Sequence, residues 1–221
     1  FVKRDIPFLK KYDTKIIVNV CGHAPEEYLA VVERLADEPI DMMEINISCP
    51  NVNAGFLAFG QDAKHVEELT AQIKKIAKQP IIMKLTPNVT DITEIAKAAE
   101  AGGADALSLI NTLTGMKIDI NRRTFAAANK TGGVSGPIVH PIAVRMVYQT
   151  AHAVNIPIIG MGGIATPEDA IEMILAGASA VSVGTANFYN PNATIEIIDG
   201  IEAYMKKNGF ESVKDMVGIV K

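Results

Sequence analysis

The sequence predicts an α/β protein of the (β/α)8 TIM barrel class. Apolar runs of strand length alternate with stretches of helical length along the chain, which is typical of a parallel sheet with crossover helices. Polar side chains stand where several of these runs end, as on the catalytic rim of a barrel. Six such units are present, and a closed barrel needs eight. We therefore expect residues 1–221 to form one barrel domain that lacks the first two βα units.

The predicted strands are short apolar runs bounded by turn residues. They are Lys15–Val20, Met42–Ile47, Pro80–Leu85, Ala106–Ile110, Ile156–Met161 and Ala178–Val183. The predicted helices are Glu26–Ala36, Ala63–Ala77, Asp91–Ala101, Pro141–Ala153, Pro167–Leu175 and Ala193–Lys207. Capping residues stand at several of the helix ends. Thr166 precedes a proline and two acids, as an N-cap residue does, and Gly102 and Gly177 occupy C-cap positions.

Composition and charge exclude several classes of partner. The chain is 48% hydrophobic, with a net charge of -4, a pI near 5.6 and no basic run, so we expect no binding of nucleic acid or of an anionic membrane. Cys21 and Cys49 form no CxxC pair, so we expect no metal site and no iron–sulfur cluster on this chain. No apolar run reaches the roughly 18 residues of a membrane span. We expect a cytoplasmic protein that binds a small molecule.

Cys49 stands at the predicted exit of a strand. Met42–Ile47 alternates apolar and polar residues, which is the period of a half-buried strand. Pro50 cannot donate to a sheet ladder, so the strand must end before it and the Cys49 thiol lies on the turn. A buried, inert thiol is the alternative, but the strand exit favours a functional cysteine. Cys21 has no such context, and we expect it to be structural.

Further polar residues mark the same predicted rim. Asn19, Asn46, Lys84 and Asn111 fall at or just past strand ends, and period-2 counting places Glu44 on the face of Asn46. If Lys84 points inward, its ammonium needs an anionic partner, such as a flavin ring or a substrate carboxylate. A lysine that points outward into solvent is the alternative.

Two glycine turns follow the last two predicted strands, at Gly162–Gly163 and Gly184–Thr185. Each precedes a helical pattern, as in the phosphate-binding loops of barrel enzymes, although tight turns without a ligand are the alternative. Residues 51–60 combine glycines with apolar bulk, as a lid or a static loop would. The four histidines lack acidic partners at motif spacing, and we expect all of them to be solvated: His23, His65, His140 and His152.

The order of six motifs resembles the dihydroorotate dehydrogenase family, closest to its class 1B catalytic subunit. The motifs are NISCPN at 46–51, KLTPNVTDI at 84–92, INTL at 110–113, GGVSGP at 132–137, GMGG at 160–163 and GTANF at 184–188. The resemblance covers the whole chain. It implies a flavoprotein oxidoreductase with FMN on this chain, which oxidises dihydroorotate to orotate in pyrimidine (UMP) biosynthesis.

The resemblance also implies a role for each motif residue. Cys49 would be the general base that removes the C5 proton of dihydroorotate, while the C6 hydride passes to N5 of FMN. Lys84 would stabilise the reduced flavin. The substrate contacts would be Asn46, Asn51, Asn111 and Thr112. The FMN contacts would be Asn19, Asn46, Lys84, Ile110, Gly136, Gly162, Gly163, Gly184 and Thr185.

A class 1B resemblance implies a partner as well. An electron-transfer subunit with FAD and a 2Fe-2S cluster would pass electrons to NAD, and the chain would form a homodimer within a heterotetramer. Two alternatives stay open. A dihydropyrimidine dehydrogenase barrel that reduces uracil and thymine shares the 84–92 motif, but its catalytic cysteine would stand where this chain has Phe59. A non-catalytic remnant that only binds the electron-transfer subunit would explain the incomplete barrel.

Overall fold

The computed structural model describes residues 1–48 and 59–220. The strands are β1 Ile17–Val20, β2 Met42–Asn46, β3 Ile81–Lys84, β4 Ala106–Leu109, β5 Leu113–Met116, β6 Ile118–Asp119, β7 Thr124–Phe125, β8 Thr131–Val134, β9 Ile158–Met161 and β10 Ala180–Ser182. The helices are α1 Asp5–Leu9, α2 Pro25–Leu35, α3 Ala63–Ile76, α4 Ile92–Ala101, α5 His140–Ala151, α6 Pro167–Ala176 and α7 Ala193–Asn208. The chain divides into two compact units, of which the first comprises residues 1–85, 91–108 and 153–157. The second comprises residues 86–90, 109–152 and 158–221.

The first unit is built on parallel strands joined by helices. β1 pairs with β2, β2 with β3 and β3 with β4, each in parallel register, and α2, α3 and α4 connect them in turn. The centre of this sheet is fully enclosed, because Ile81, Ile82 and Met83 of β3 are all 0% exposed. A parallel strand that is covered on both faces is apolar at successive residues rather than at alternate ones, as β3 is.

The second unit combines the parallel pair β9 and β10 with α5, α6 and α7. It also holds two small antiparallel ladders, in which β5 pairs with β8 and β6 with β7. α6 begins with a capping box: Thr166 Oγ1 accepts from the Asp169 N–H at 3.3 Å, and Asp169 Oδ2 accepts from the Thr166 N–H at 2.9 Å. The helix ends at Ala176 and is followed by the C-cap Gly177, whose φ of 125° favours glycine.

The predicted succession of strands and helices is confirmed, with element ends that differ by at most two residues. The ladders of β5 to β8 were not predicted. Their residues are short runs with little burial, and β8 is exposed at every position, so they lack the apolar alternation that marks a packed strand. Within residues 1–48 and 59–220, no helix is long and apolar enough to cross a membrane. Over the same ranges, no three His, Cys, Asp or Glu side chains are grouped to hold a metal ion.

Asp41 ties the segment after α1 to the beginning of β2. Its Oδ2 accepts from the Ile16 N–H at 2.9 Å and from Lys10 Nζ at 3.3 Å, and its Oδ1 lies 3.2 Å from Lys15 Nζ. The hydrogen bond from Ile16, followed by that from Lys15, lowers the pKa of Asp41 from 3.8 to about 2. The folded state therefore favours the ionised carboxylate.

Asp41→Asn should lower the urea midpoint of unfolding at neutral pH. Because the folded pKa is depressed, the stabilisation by Asp41 is complete above the unfolded value of 3.8 and is lost as the pH falls through about 2. The wild-type and variant midpoints should therefore converge in that range. The control is Asp37→Asn, which changes a carboxylate that is 81% exposed and should have little effect. If the urea midpoint of wild type exceeded that of Asp41→Asn by the same amount throughout the acid range, this role of Asp41 would be contradicted.

Candidate functional site

Glu44 is the centre of a polar cluster in the first unit, near the carboxyl ends of β1 to β4. Its carboxylate accepts from Asn19 Nδ2 at 2.5 Å and from Ser108 Oγ at 2.7 Å, and it lies 3.5 Å from Lys84 Nζ. The Glu44 and Lys84 side chains are only 13% and 19% exposed. Charges so far removed from water need partners, and this pair with its two neutral donors supplies them. We call these four residues the Glu44 cluster.

Asn46 lies next to the Glu44 cluster, opposite Lys84 in the sheet register. Ser48 donates to Asn46 Oδ1 from its Oγ at 2.6 Å and from its N–H at 3.2 Å, which fixes the amide plane. The Tyr28 hydroxyl donates to the backbone oxygen of Asn46 at 2.8 Å. This asparagine is therefore held by both its side chain and its backbone.

Cys21 was expected to be a structural cysteine away from the predicted site, but the structure places it next to two of the predicted site residues. The side chain is exposed, its Sγ donates to Asn19 Oδ1 at 3.2 Å, and it accepts from Asn46 Nδ2 at 3.5 Å. β1 ends at Val20, so the next residue stands at the strand exit beside both asparagines. The thiol is part of the predicted rim.

The structure brings the predicted residues of the first unit together. Asn19, Asn46 and Lys84 share one network of hydrogen bonds and ion pairs. Cys49 and Asn51 lie outside the described residues, as does most of the predicted lid, so their roles stay predictions. No role was predicted for Glu44. The available signal was its place on the face of Asn46, together with the need of an inward Lys84 for an anion.

In the second unit, the predicted glycines lie in backbone conformations that favour glycine. Gly136, Gly162 and Gly163 have φ values of 90°, 130° and 70°. A Cβ at Gly163 would lie 2.7 Å from the carbonyl oxygen of Gly136 and 2.8 Å from Cβ of His140. A Cβ at Gly162 would lie 3.3 Å from Cγ1 of Ile110. Four predicted flavin contacts, Ile110 among them, are therefore close neighbours.

Gly184 and Thr185 adjoin this group. Thr185 Oγ1 donates to Ser135 Oγ at 3.2 Å, and Thr185 Cγ2 would lie 3.9 Å from a Cβ at Gly136. Within the described part of the chain, and apart from Gly184 and its two chain neighbours, no atom lies within 4 Å of the place a Cβ at Gly184 would take. Glycine backbone, two hydroxyls and open space are what a phosphate needs. We call the five predicted contacts Gly136, Gly162, Gly163, Gly184 and Thr185 the glycine cluster.

The segment after β4 carries the remaining predicted residues. Ile110 is 3% exposed, and the Thr112 N–H donates to Asn111 Oδ1 at 2.7 Å. Asn88, to which the sequence analysis assigned no role, donates to the Thr112 carbonyl at 3.0 Å and accepts from the Thr114 N–H at 2.9 Å. A single side-chain amide thus fixes the backbone on both sides of Leu113, next to two predicted substrate contacts.

His140 corrects the expectation that all four histidines are solvated. It is 6% exposed, its Nδ1 lies 2.9 Å from the Gly162 oxygen, and its Nε2 lies 3.1 Å from Glu172 Oε2. The first residue of α5 packs against the turn after β9, which encloses the ring. The other three are exposed, as predicted: His23, His65 and His152.

Comparisons with known proteins agree on one family. A family model described as dihydroorotate dehydrogenase matches residues 2–205. The catalytic subunit of dihydroorotate dehydrogenase B (NAD(+)) from Lachnoclostridium phytofermentans is 66% identical over 100% of this chain and 74% of that protein. The corresponding subunit from Alkaliphilus metalliredigens is 60% identical over 99% of this chain and 72% of that protein.

A solved structure shares the fold. The crystal structure of DHODH from Eimeria tenella in complex with ferulenol matches 99% of this chain with a TM-score of 0.80 and 23% identity. The chain spans 65% of the length of that protein. At this identity the likeness concerns the fold, and the predicted α/β barrel class is confirmed.

A comparison of Gly163→Ala with Gly209→Ala distinguishes the loss of stability caused by steric crowding from that caused by the backbone conformation. Their φ values are 70° and 74°, so both substitutions should cost about 1 kcal/mol through the left-handed conformation. Only Gly163→Ala also places a Cβ 2.7 Å from the Gly136 oxygen, whereas nothing in the described residues lies within 4 Å of a Cβ at Gly209. We expect Gly163→Ala to lower the free energy of unfolding by about 1–3 kcal/mol more. Equal losses in urea unfolding would show that the glycine cluster is not tightly packed.

Proposed function

The chain belongs to the dihydroorotate dehydrogenase family, and we propose that it oxidises dihydroorotate to orotate in pyrimidine biosynthesis with FMN bound by the residues described above. One observation carries the assignment of the site. Asn19 and Lys84, predicted as flavin contacts, both contact the Glu44 carboxylate, and Asn46 joins their network through the Cys21 thiol. Strand ends with only a structural role would gain little from this largely buried ion pair, because apolar side chains in the same places would stabilise the fold as well.

The residues present suit FMN. The edge of a flavin ring offers carbonyl oxygens and nitrogens, which take hydrogen bonds from an ammonium or an amide, and Lys84 and Asn19 carry these groups. The phosphate takes backbone N–H and hydroxyl donors, which the glycine cluster provides beside the open space at Gly184. FMN, when bound, supplies the acceptor for the substrate hydride.

Glu44 is the positioning residue of the ring end. Its carboxylate, 3.5 Å from Lys84 Nζ, holds the ammonium in place and offsets its charge, while it also orients the Asn19 amide at 2.5 Å. A lysine held this way presents a fixed positive charge without the entropy loss that a mobile side chain would suffer on binding. Lys84 thereby favours negative charge on the neighbouring ring edge.

The substrate end is assigned to asparagines and to one thiol. Asn46, Asn111 and Thr112 hydrogen-bond the carboxylate and ring amides of dihydroorotate, and Asn88 holds the Thr112 backbone in place. Cys49, as a thiolate, removes the proton at C5 as the hydride leaves C6. The family resemblance and the strand exit support this assignment of Cys49, which lies outside the described residues.

Electrons leave through a partner. The relatives are named catalytic subunits of an NAD(+)-linked enzyme, which implies an electron-transfer subunit. In our proposal that subunit carries FAD and a 2Fe-2S cluster, and the chain is a cytoplasmic homodimer within a heterotetramer. Co-purification with an iron–sulfur flavoprotein, with NADH formed from dihydroorotate and NAD, would support this part of the proposal. Isolation of the active enzyme as a single type of subunit would contradict it.

The two alternatives are tested with ligands. A dihydropyrimidine dehydrogenase barrel should bind uracil in preference to orotate, and Phe59 at the position of its cysteine disfavours it. A non-catalytic remnant should hold no flavin. Protein that is yellow, releases FMN on denaturation and binds orotate rather than uracil excludes both.

Cys49→Ala should lower orotate formation by roughly a hundredfold or more, because a positioned general base contributes about that factor. FMN content should stay at the wild-type value. The matched control is Cys21→Ser, which alters the other cysteine but keeps a donor beside Asn19, and it should retain most of the rate. The rates are measured by absorbance of orotate with an artificial electron acceptor. A Cys49→Ala rate within about tenfold of wild type would place the base elsewhere.

A further inference from the structure

His140 is buried at the first residue of α5, with both ring nitrogens close to oxygen atoms. Nδ1 lies 2.9 Å from the Gly162 carbonyl oxygen, and Nε2 lies 3.1 Å from Glu172 Oε2 and 3.7 Å from Asp169 Oδ1. A carbonyl oxygen can only accept a hydrogen bond, so the contact with Gly162 requires the ring hydrogen on Nδ1. The ring is therefore a donor to the turn that contains two predicted phosphate contacts.

This contact determines how the Gly162–Gly163 peptide is turned. The bond is trans, and in a trans peptide the C=O and the N–H point in opposite directions. A carbonyl oxygen held by His140 thus directs the Gly163 N–H away from the ring. Glycines at φ of 130° and 70° have little conformational preference of their own, so this orientation depends on external support.

The same turn is held at its other end. Asp169 Oδ2 accepts from the N–H groups of Ala165 and Thr166, each at 2.9 Å. Residues 162–166 are consequently fixed by His140 at the first position and by Asp169 at the last two. The carboxylate of Glu172, one helical turn beyond Asp169 in α6, lies 3.1 Å from the second nitrogen, Nε2.

We propose that His140 is a positioning residue for the phosphate of FMN. Its Nδ1–H holds the Gly162 carbonyl, and this makes the Gly163 N–H available to the phosphate. The inference rests on the proposed function, because the phosphate is assigned to the glycine cluster there. It adds a residue that none of the sequence motifs contains and that does not touch the ligand itself.

The test compares three variants and two flavins. Asn places its amide nitrogen near the position of Nδ1 of histidine, and Gln places it near Nε2. His140→Asn therefore keeps the donor to Gly162, His140→Gln moves the donor towards Glu172, and His140→Leu removes both. Flavin-free protein is titrated with FMN and with riboflavin, which lacks the phosphate, and binding is followed by the quenching of flavin fluorescence.

We expect His140→Leu and His140→Gln to bind FMN about tenfold more weakly than wild type, the equivalent of one lost hydrogen bond. Riboflavin affinity should be unchanged in every variant. His140→Asn should retain the wild-type affinity for FMN. The matched control is His152→Leu, which removes a ring nitrogen at 2.8 Å from the Tyr148 carbonyl at the exposed end of the same helix and should alter neither affinity.

Unchanged FMN affinity in folded His140→Gln, or equal losses of FMN and riboflavin affinity in that variant, would overturn the inference while leaving the proposed function intact. If His140→Leu does not fold, the Asn and Gln variants decide the question, because they differ in which donor they keep. Wild-type protein that binds neither flavin would overturn the proposed function and this inference with it.

Discussion

The pairing of Glu44 with Lys84 is the interaction on which the polar end of the first unit depends. Each charge would be costly in so enclosed a place without the other, and the parallel register of β2 and β3 is what brings the two side chains within 3.5 Å. Asn19 from β1 and Ser108 from β4 donate further hydrogen bonds to the two oxygens of the Glu44 carboxylate. Four neighbouring strands are thus linked at the end where a barrel places its chemistry.

The glycine cluster meets a different constraint. A phosphate site needs backbone N–H groups that converge, which requires conformations that side chains resist and supports that glycine itself cannot provide. Gly136, Gly162 and Gly163 supply the conformations, and His140 and Asp169 supply the support. His140 of α5 and Asp169 of α6 therefore support the loop between β9 and α6 as well as the helices to which they belong.

Most of the fold could be predicted because burial leaves a periodic trace in the sequence. Met43 and Ile45 of β2 are both 0% exposed and alternate with the half-buried Glu44 and Asn46. The two-residue period of a strand was therefore visible in the sequence. β8 could not be found in this way. Its residues Thr131–Val134 are all exposed, and a ladder that buries nothing imposes no apolar pattern.

Several residues of the site could be predicted from the sequence, but the contacts between them could not. Lys84 could be recognised as a lysine in need of an anion, but Glu44 stands opposite Ile82 in the register and meets Lys84 diagonally, which sequence spacing does not reveal. His140 was expected to be solvated because Glu172 is 32 residues away in the sequence and becomes its neighbour only when α6 packs beside α5. Contacts across helices depend on packing and cannot be read from local motifs.

The central claim is that Lys84, held and partly neutralised by Glu44, faces the flavin ring. The most direct measurement is the midpoint reduction potential of the bound flavin in Glu44→Gln compared with wild type. Glutamine keeps an oxygen for Asn19 and removes the negative charge beside the ammonium, so we predict a more positive potential. A potential that is unchanged or more negative would contradict the claim.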